Sequence, residues 1–463
     1  MFGAAIGCSS LFGQADSPAA ADPSPSPSPS PAPVLTVNRV EGEAPEQDRP
    51  VLSVNQAEAN TLGGGEPVLA VDPTLPDQSL LDQRQPTMQE PTVLDEAPAS
   101  KPEPSSGKEV APVRKWGLQF RGRVGIAYDD NIFISNTDPV ADEILGVTGG
   151  VSFIYGDWRS KVDNFLVADY EAGGFFYFHN PEQDSFNQIA SLIGQVRFQR
   201  LAILLRSQYA YLTGAVRDVG GFATRNLIYD TLRFTYDLST KTSLWAEGFV
   251  NLAIYKSFFN SYDFGVKAGG DYQILQKVRV GPEFVMGFLD VADSPNQTYE
   301  QLRARVIYEA TGKLTFEGSA GVQFLQFDSD NKTLFVFSAG GTYRPFDGTA
   351  ISLRGYRNVY GSAALQGEDY IATGVELGVT QRFLHRFYVT VNTGYENDDY
   401  FAVAENTDSG RVDNYVFVRP ALAFAFTRWA SISLFYEYRR NFSTDPDFPF
   451  SNNRYGGALA FQF

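Results

Sequence analysis

The sequence predicts an all-β protein: a transmembrane antiparallel up-and-down β-barrel of about 18 strands (16–18), preceded by a disordered Pro-rich N-terminal segment. Three observations predict it. The chain changes composition abruptly near residue 113, its second part repeats an apolar–polar alternation of period two, and the repeating units are long for strands.

The compositional break divides the chain. Of 65 aromatic residues only Phe2 and Phe12 precede Val113, whereas 18 of the 26 prolines do. Residues 1–112 carry 16 acids and 5 bases, which leaves a net −6 of the formal −17 for the remainder. A segment so poor in aromatics cannot bury enough apolar surface to offset the entropy of ordering it. Residues 113–463 must carry the fold. An acidic chain without a basic cluster also argues against nucleic-acid binding, which needs Lys and Arg against phosphate.

Residues 1–15 read as a signal peptide, a short apolar stretch ending Gly13-Gln14-Ala15 with small residues suited to signal peptidase. The stretch lacks a basic n-region, and Ala5-Ile6-Gly7-Cys8 faintly resembles a lipoprotein cleavage box, so a lipoprotein or no signal are the alternatives. Cys8 is the single cysteine, so neither an intramolecular disulfide nor a cysteine metal site is open to the chain. Residues 16–112 read as an acidic Pro/Ser-rich periplasmic linker, polyproline-like over 24–33, with room for a periplasmic or cell-wall partner. Beyond the leader no run of 18 apolar residues exists, which argues against a transmembrane helix and leaves strands open.

From Trp116 the period becomes two. Leu118, Phe120, Val124, Ile126 and Tyr128 alternate with Gln119, Arg121, Arg123 and Ala127. The pattern recurs in 244–254 and 262–272, as one greasy and one wet face per strand require. Marking each such stretch gives 18 strands of roughly 10–14 residues, the first at 117–129 and the last at 453–463. Soluble strands run about 5–6 residues, while strands tilted through a bilayer need about 9–11. Tight connections at 156–157, 199–200, 238–240, 275–276, 346–348 and 427–428 alternate with longer ones. The longer ones are 130–142, 175–185, 214–224, 290–298, 361–368, 398–411 and 442–452. Short turns inside and long loops outside are the asymmetry of outer-membrane barrels, and an even strand count places both ends of the barrel in the periplasm. Pro282 and Pro420 fall inside strands and are expected at bulges or strand ends, because proline cannot donate to a ladder.

The final strand alternates Tyr455, Gly457, Leu459, Phe461 and Phe463 to the last residue. This resembles the terminal aromatic signature by which the barrel-assembly machinery recognises outer-membrane proteins. In the first strand, Tyr128-Asp129-Asp130-Asn131-Ile132-Phe133 is similar to the opening strand of the putative outer-membrane beta-barrel porin family of Gram-negative type. The resemblance implies a barrel in outer-membrane lipid, and some members of that family are associated with exopolysaccharide export. Tyr128 would then lie at the membrane interface, with Asp129, Asp130 and Asn131 opening the first external loop.

Catalytic and metal chemistry find little support. The two histidines, His179 and His385, fall in an external loop and a periplasmic turn, on opposite sides of the membrane, which argues against a hydrolase. The acid runs Asp328-Ser329-Asp330-Asn331 and Asn397-Asp398-Asp399 read as solvated loops rather than calcium sites. No cofactor is implied. Function is expected on the inward face, where the register sets Arg121, Arg123, Arg197, Arg206, Arg233, Lys267, Arg303, Arg305, Arg354 and Arg439. Their acidic neighbours there are Glu247, Asp271, Glu283, Glu317, Glu376 and Glu437. Two readings of these rows stay open: ion pairs that keep the lumen wet and rigid, or a constriction that filters solutes. The chain is expected to be a porin-like channel for hydrophilic solutes or secreted polysaccharide. The alternative is a structural barrel tethered through its N-terminal arm.

Overall fold

The computed structural model describes residues 116–156, 164–311, 313–327, 330–404 and 410–463. The expected leader and linker lie outside the described residues, as do Asp157 of the first expected turn and Asp328 and Ser329 of one acid run.

Eighteen strands follow one another. They are β1 (Trp116–Asp129), β2 (Asp142–Gly156), β3 (Phe165–Tyr177), β4 (Ser185–Arg197), β5 (Leu201–Val216), β6 (Gly221–Asp237), β7 (Thr242–Tyr255), β8 (Ser261–Leu275) and β9 (Val278–Val291). The second half is β10 (Gln297–Thr311), β11 (Leu314–Phe327), β12 (Asp330–Tyr343), β13 (Thr349–Gly361), β14 (Glu368–Phe383), β15 (Phe387–Ala402), β16 (Val412–Ala425), β17 (Ala430–Ser443) and β18 (Phe450–Gln462). Each pairs antiparallel with its successor, and β18 returns to β1 to close the ring. At the turn end the closure reaches the last residue: Phe120 and Phe463 exchange backbone hydrogen bonds of 3.0 and 2.9 Å.

The alternation read from the sequence becomes an inside-out protein. On β10, Leu302 is 57% exposed on the outer face while Arg305 is 6% exposed on the inner one. Arg or Lys facing lipid at the midplane costs about 2–4 kcal/mol, so the inward charge rows go with an apolar belt outside. Aromatic rings crowd the outer turn end. Trp429 stacks between Phe461 and Phe463, with ring centroids 6.3 and 6.0 Å apart. Leu384 and His385, both at positive φ, are the central residues of the turn between β14 and β15, closed by the Arg386 N–H on the Phe383 carbonyl at 3.2 Å. Two successive left-handed residues give the mirror-image turn whose twist suits a hairpin.

The prolines are accommodated without bulges. Pro282 keeps its pairing with Ala304 on β10, and Pro420 with Val391 on β15. Each interrupts only the ladder on its other side, toward β8 and β17, and the register resumes unshifted beyond it. The missing N–H therefore costs local pairing, not strand continuity.

The opening-strand motif does more than begin the first loop, which starts after Asp129. Asp129 and Asn131 are buried. Asp129 accepts hydrogen bonds from Asn131 N–H at 2.9 Å and from Asn452 Nδ2 at 2.5 Å. Asp130 accepts from the backbone and side-chain amides of Asn453 at 2.7 and 2.8 Å. The motif thus clamps β1 to β18 where the barrel closes. Ile132 and Phe133 then turn inward against Ile144, Phe175 and Tyr177.

One expected loop is largely strand and another is shortened. The connection expected at 214–224 shrinks to residues 217–220, and β15 runs on to Ala402 within the stretch expected as 398–411. The β5–β6 tip leaves the cylinder of the wall and enters the lumen, and so does the β13–β14 tip. Their burial records this, because from Gly214 to Asp218 and from Glu368 to Ala372 every residue is buried regardless of face. Period-two exposure requires solvent or lipid on one side, and these segments have protein on both.

Candidate functional site in the barrel lumen

The charged inward residues pair along the wall, between strands adjacent or one apart. Arg121 on β1 donates to Asp169 on β3 at 2.9 and 3.0 Å and lies 3.5 Å from Glu171. On β6 to β8, Glu247 stands between Arg233 at 3.7 Å and Lys267 at 3.1 Å. Arg305 bridges Asp271 at 3.2 Å and Glu317, and Arg303 faces Glu283 at 3.6 Å. Arg354 and Glu376 are opposed in register and 3.9 Å apart. Arg197 reaches Asp237 at 2.7 Å at the turn end, and Arg439 Nε donates to Asn452 at 2.9 Å. Glu437 is fully buried and opposed in register by Arg454. Arg206 is buried, and Arg123 is half-buried on the inner face of β1.

These residues divide between two halves of the lumen. Along β5 to β13 a cavity of about 230 Å³ remains, lined by Arg206, Arg233, Glu247, Lys267, Arg303 and Arg305. Glu283 and Glu317 complete its charged lining, and Trp245, Phe249, Val285, Leu289 and Leu325 add apolar patches. Arg233 lies 4.1 Å over the Trp245 ring, which holds the guanidinium flat against the wall. Around β16 to β18 the inward chains are packed instead, with Arg419, Arg439 and Arg454 all essentially without solvent exposure.

Many of the groups that close the loop end, Arg217, Asp218, Asp398, Tyr400 and Arg411 among them, were expected in external loops. The tip of the β5–β6 hairpin crosses to strands on the opposite side of the ring. There Arg217 donates to Glu396 and to Asp398 (2.6 Å), and its guanidinium sits 4.5 Å over Tyr415. Tyr356 holds the second Glu396 oxygen at 2.5 Å. Asp218 accepts from Ser362 (2.9 Å), the Ala363 N–H (2.6 Å) and Tyr400 (3.0 Å). Arg411 donates to the Asp218 carbonyl at 2.9 Å and to Asp413 at 2.6 Å, and lies 3.4 Å over Phe448. Asp398, read as a solvated loop acid, is therefore a buried ion-pair partner. Burial opposes the charge on Arg217, but Asp398 and Glu396 outweigh it and hold its pKa well above the usual guanidinium value. Burial opposes the charge on Arg411 too, and Tyr400 and Asp413 again reverse the sign.

Apolar contacts complete the closure. Ala215 of the tip packs with Ile134, Tyr415, Phe417 and Phe450. Ile134 is held at φ 47°, a conformation that costs a β-branched residue about 1–3 kcal/mol. Asn131 braces the turn around it: its backbone carbonyl accepts from the Ile134 N–H at 3.0 Å, and its side chain accepts from the Ser135 N–H (2.9 Å) and donates to the Ser135 carbonyl (2.8 Å). Gly220, at φ 63°, turns the hairpin where a Cβ would strike Phe448.

A signal for the tip was present in the sequence. Alternation runs on through Leu212, Gly214 and Val216 and meets a turn only at Gly220-Gly221. What period two cannot show is that the extension bends inward.

His179 remains a surface residue, 3.1 Å from Glu143 and 3.4 Å from Asp142. These three are close enough to hold an ion, but Asp142 is already engaged by the His179 N–H and the Asn180 side chain.

Residues 295–463, which span β10 to β18, match a family described as "Putative beta-barrel porin 2". The matched region leaves out Tyr128 to Phe133, the segment of β1 and its loop that carries the sequence resemblance. No curated protein matches. Solved structures similar to this chain include Acinetobacter baumannii OccAB3 (11% identity, 75% of this chain and 99% of that one, TM-score 0.39). Pseudomonas aeruginosa OccK2 gives 11%, 75%, 98% and 0.40, and a loop-deleted OmpT of Vibrio cholerae gives 12%, 75%, 100% and 0.35.

Proposed function

For a porin-like outer-membrane barrel whose last nine strands match that family, we propose the function of a gated channel that carries hydrophilic solutes through a mixed-charge lumen. One observation carries this reading. The cavity along β5 to β13 is lined by charged groups, most of them ion-paired along the wall, which keep it polar and open while the folded-in tips shut the loop end. An enzyme would need convergent catalytic groups, whereas the charged residues described around the cavity are engaged mostly with one another.

In this reading the turn end faces the periplasm, where residues 16–112 would also lie. Phe461 and Phe463, stacked on Trp429 at the outer edge, are accessible to the barrel-assembly machinery during insertion. Secreted polysaccharide is the larger cargo that the family resemblance suggests, and its passage requires both tips to leave the lumen. Planar-bilayer recording of the purified full chain tests the channel. Long closed periods broken by discrete ion currents are expected, and a barrel silent at every voltage and pH would sink it. Removal of residues 16–112 separates the tethered alternative, since a channel keeps its conductance whereas a tether loses its periplasmic or cell-wall partner.

A further inference from the structure

One place in the wall is incompletely paired. The β11–β12 ladder reaches Phe327↔Asp330, and the β13–β14 ladder reaches Gly361↔Asp369, both at the loop end. The ladder between β12 and β13 instead stops midway, at Phe337↔Arg357. Continued in the same register it would join Val336 to Asn358, Phe335 to Val359 and Thr333 to Gly361. It does not, because the β13–β14 tip is drawn inward. Gln366 donates to the Asp293 carbonyl at 2.7 Å, the Gly367 N–H to Ser294 at 2.9 Å, and Gln297 to Asp369 at 3.1 Å. Val359, on the outward-facing register of β13, packs with the inward-facing Leu325 and Phe327 of β11.

Strand edges without partners are tolerated at membrane depth only where they are buried in protein or line a cavity. Here the cavity reaches the β13 edge, since Asn358, Val359 and Gly361 belong to its lining, and it meets β12 at Ser338 and Gly340, among the last paired rungs below the seam. That lining mixes ion pairs with Trp245, Phe249, Val285, Leu289 and Leu325, which is more apolar surface than passage of water and ions requires. With the loop end shut by Arg217 and Asp218, the seam offers the lumen a route toward the membrane.

We propose that the seam between β12 and β13 is a lateral portal through which a single-chain amphiphile moves between the lumen cavity and the surrounding hydrocarbon. The polar head sits among the Arg303–Glu283 and Lys267–Glu247 pairs, and the chain lies along Val285, Leu289 and Leu325. The portal rests on the lumen as the place of passage, and ion conductance reports that separately. Current without lateral entry sinks the portal alone, whereas loss of both sinks the lumen reading as well.

The test uses the full chain in lipid vesicles with Trp116, Trp158 and Trp429 changed to Phe, leaving Trp245 in the cavity as the reporter. A lysophosphocholine brominated at mid-chain should quench Trp245 at least twofold, and glycerophosphocholine should leave it unchanged. Phe335→Cys with Val359→Cys, in a Cys8→Ser background, should form a disulfide that zips the seam and abolishes quenching until reductant is added. If that disulfide does not form, Ser338→Phe narrows the floor of the seam and should reduce quenching in its place. Unquenched Trp245 in the unlocked protein overturns the portal. So does equal quenching with the seam locked or narrowed.

Discussion

At the turn end, the strands stay paired in the wall close to their last positions, with register shifts near Gln273/Leu275 and Glu309/Thr311, and most connections are short. At the loop end two hairpins depart from this, because the β5–β6 and β13–β14 tips fold into the lumen and are buried on both faces. The wall faces lipid on one side and water on the other, so a two-letter pattern suffices for it. A plug faces protein on all sides and has to be held by specific partners. Here those are Arg217 against Glu396 and Asp398, and Asp218 against Ser362, Ala363 and Tyr400.

The largest way to break this contrast is to remove the plug. Replacement of residues 215–222 by an Asn-Gly turn should raise single-channel conductance several-fold, while shortening a turn-end connection should leave it unchanged. Equal currents before and after would mean that the tip is no barrier. Next, Arg217→Ala leaves two buried carboxylates without their cation, and breaking such a pair costs about 3–5 kcal/mol. The tip should undock, seen as a large rise in open probability and in protease cleavage near residue 219. Asp130→Ala removes two hydrogen bonds from the clamp on Asn453. It should lower barrel stability by about 1–3 kcal/mol, read as a lower temperature for the heat-induced shift in gel mobility. Gly220→Ala forces a Cβ into φ 63° and against Phe448, and should weaken tip docking by about 1–3 kcal/mol without affecting the melting of the wall. At the turn end, Arg197→Ala breaks a partly exposed pair with Asp237, and any stability change should stay within about 1 kcal/mol.

The pH response sharpens the same contrast through Arg217, whose folded pKa is raised. Its contribution is complete below the ordinary guanidinium value and is lost only as pH rises through the higher folded one. Alkaline titration to pH 10 should therefore leave the closed state intact, and opening at pH 9 would show that some other group holds the tip.

Much of the candidate site was legible residue by residue. The parity of Arg121, Arg233, Glu247, Lys267 and Arg305 placed them on one face, and that face is inward. Which of them meet was not legible, since a period says nothing about neighbours. Glu247 lies between Arg233 and Lys267 only because the β6–β7 and β7–β8 registers set all three at one height. Arg217, Asp218 and Arg411 were missed outright. Their partners are supplied by strands some 180 residues away in sequence or by residues brought close in the closed ring.

The sequence by itself determined the wall: long amphipathic strands, an even number of them, an aromatic C-terminal edge and an inward rank of charge. It could do so because lipid and water each act on single side chains, and a local pattern answers to them locally. Only the tertiary structure decided the plug, the half-lumen cavity and the open β12–β13 seam. Each depends on which distant strands closure of the ring sets opposite one another, and no local period encodes that.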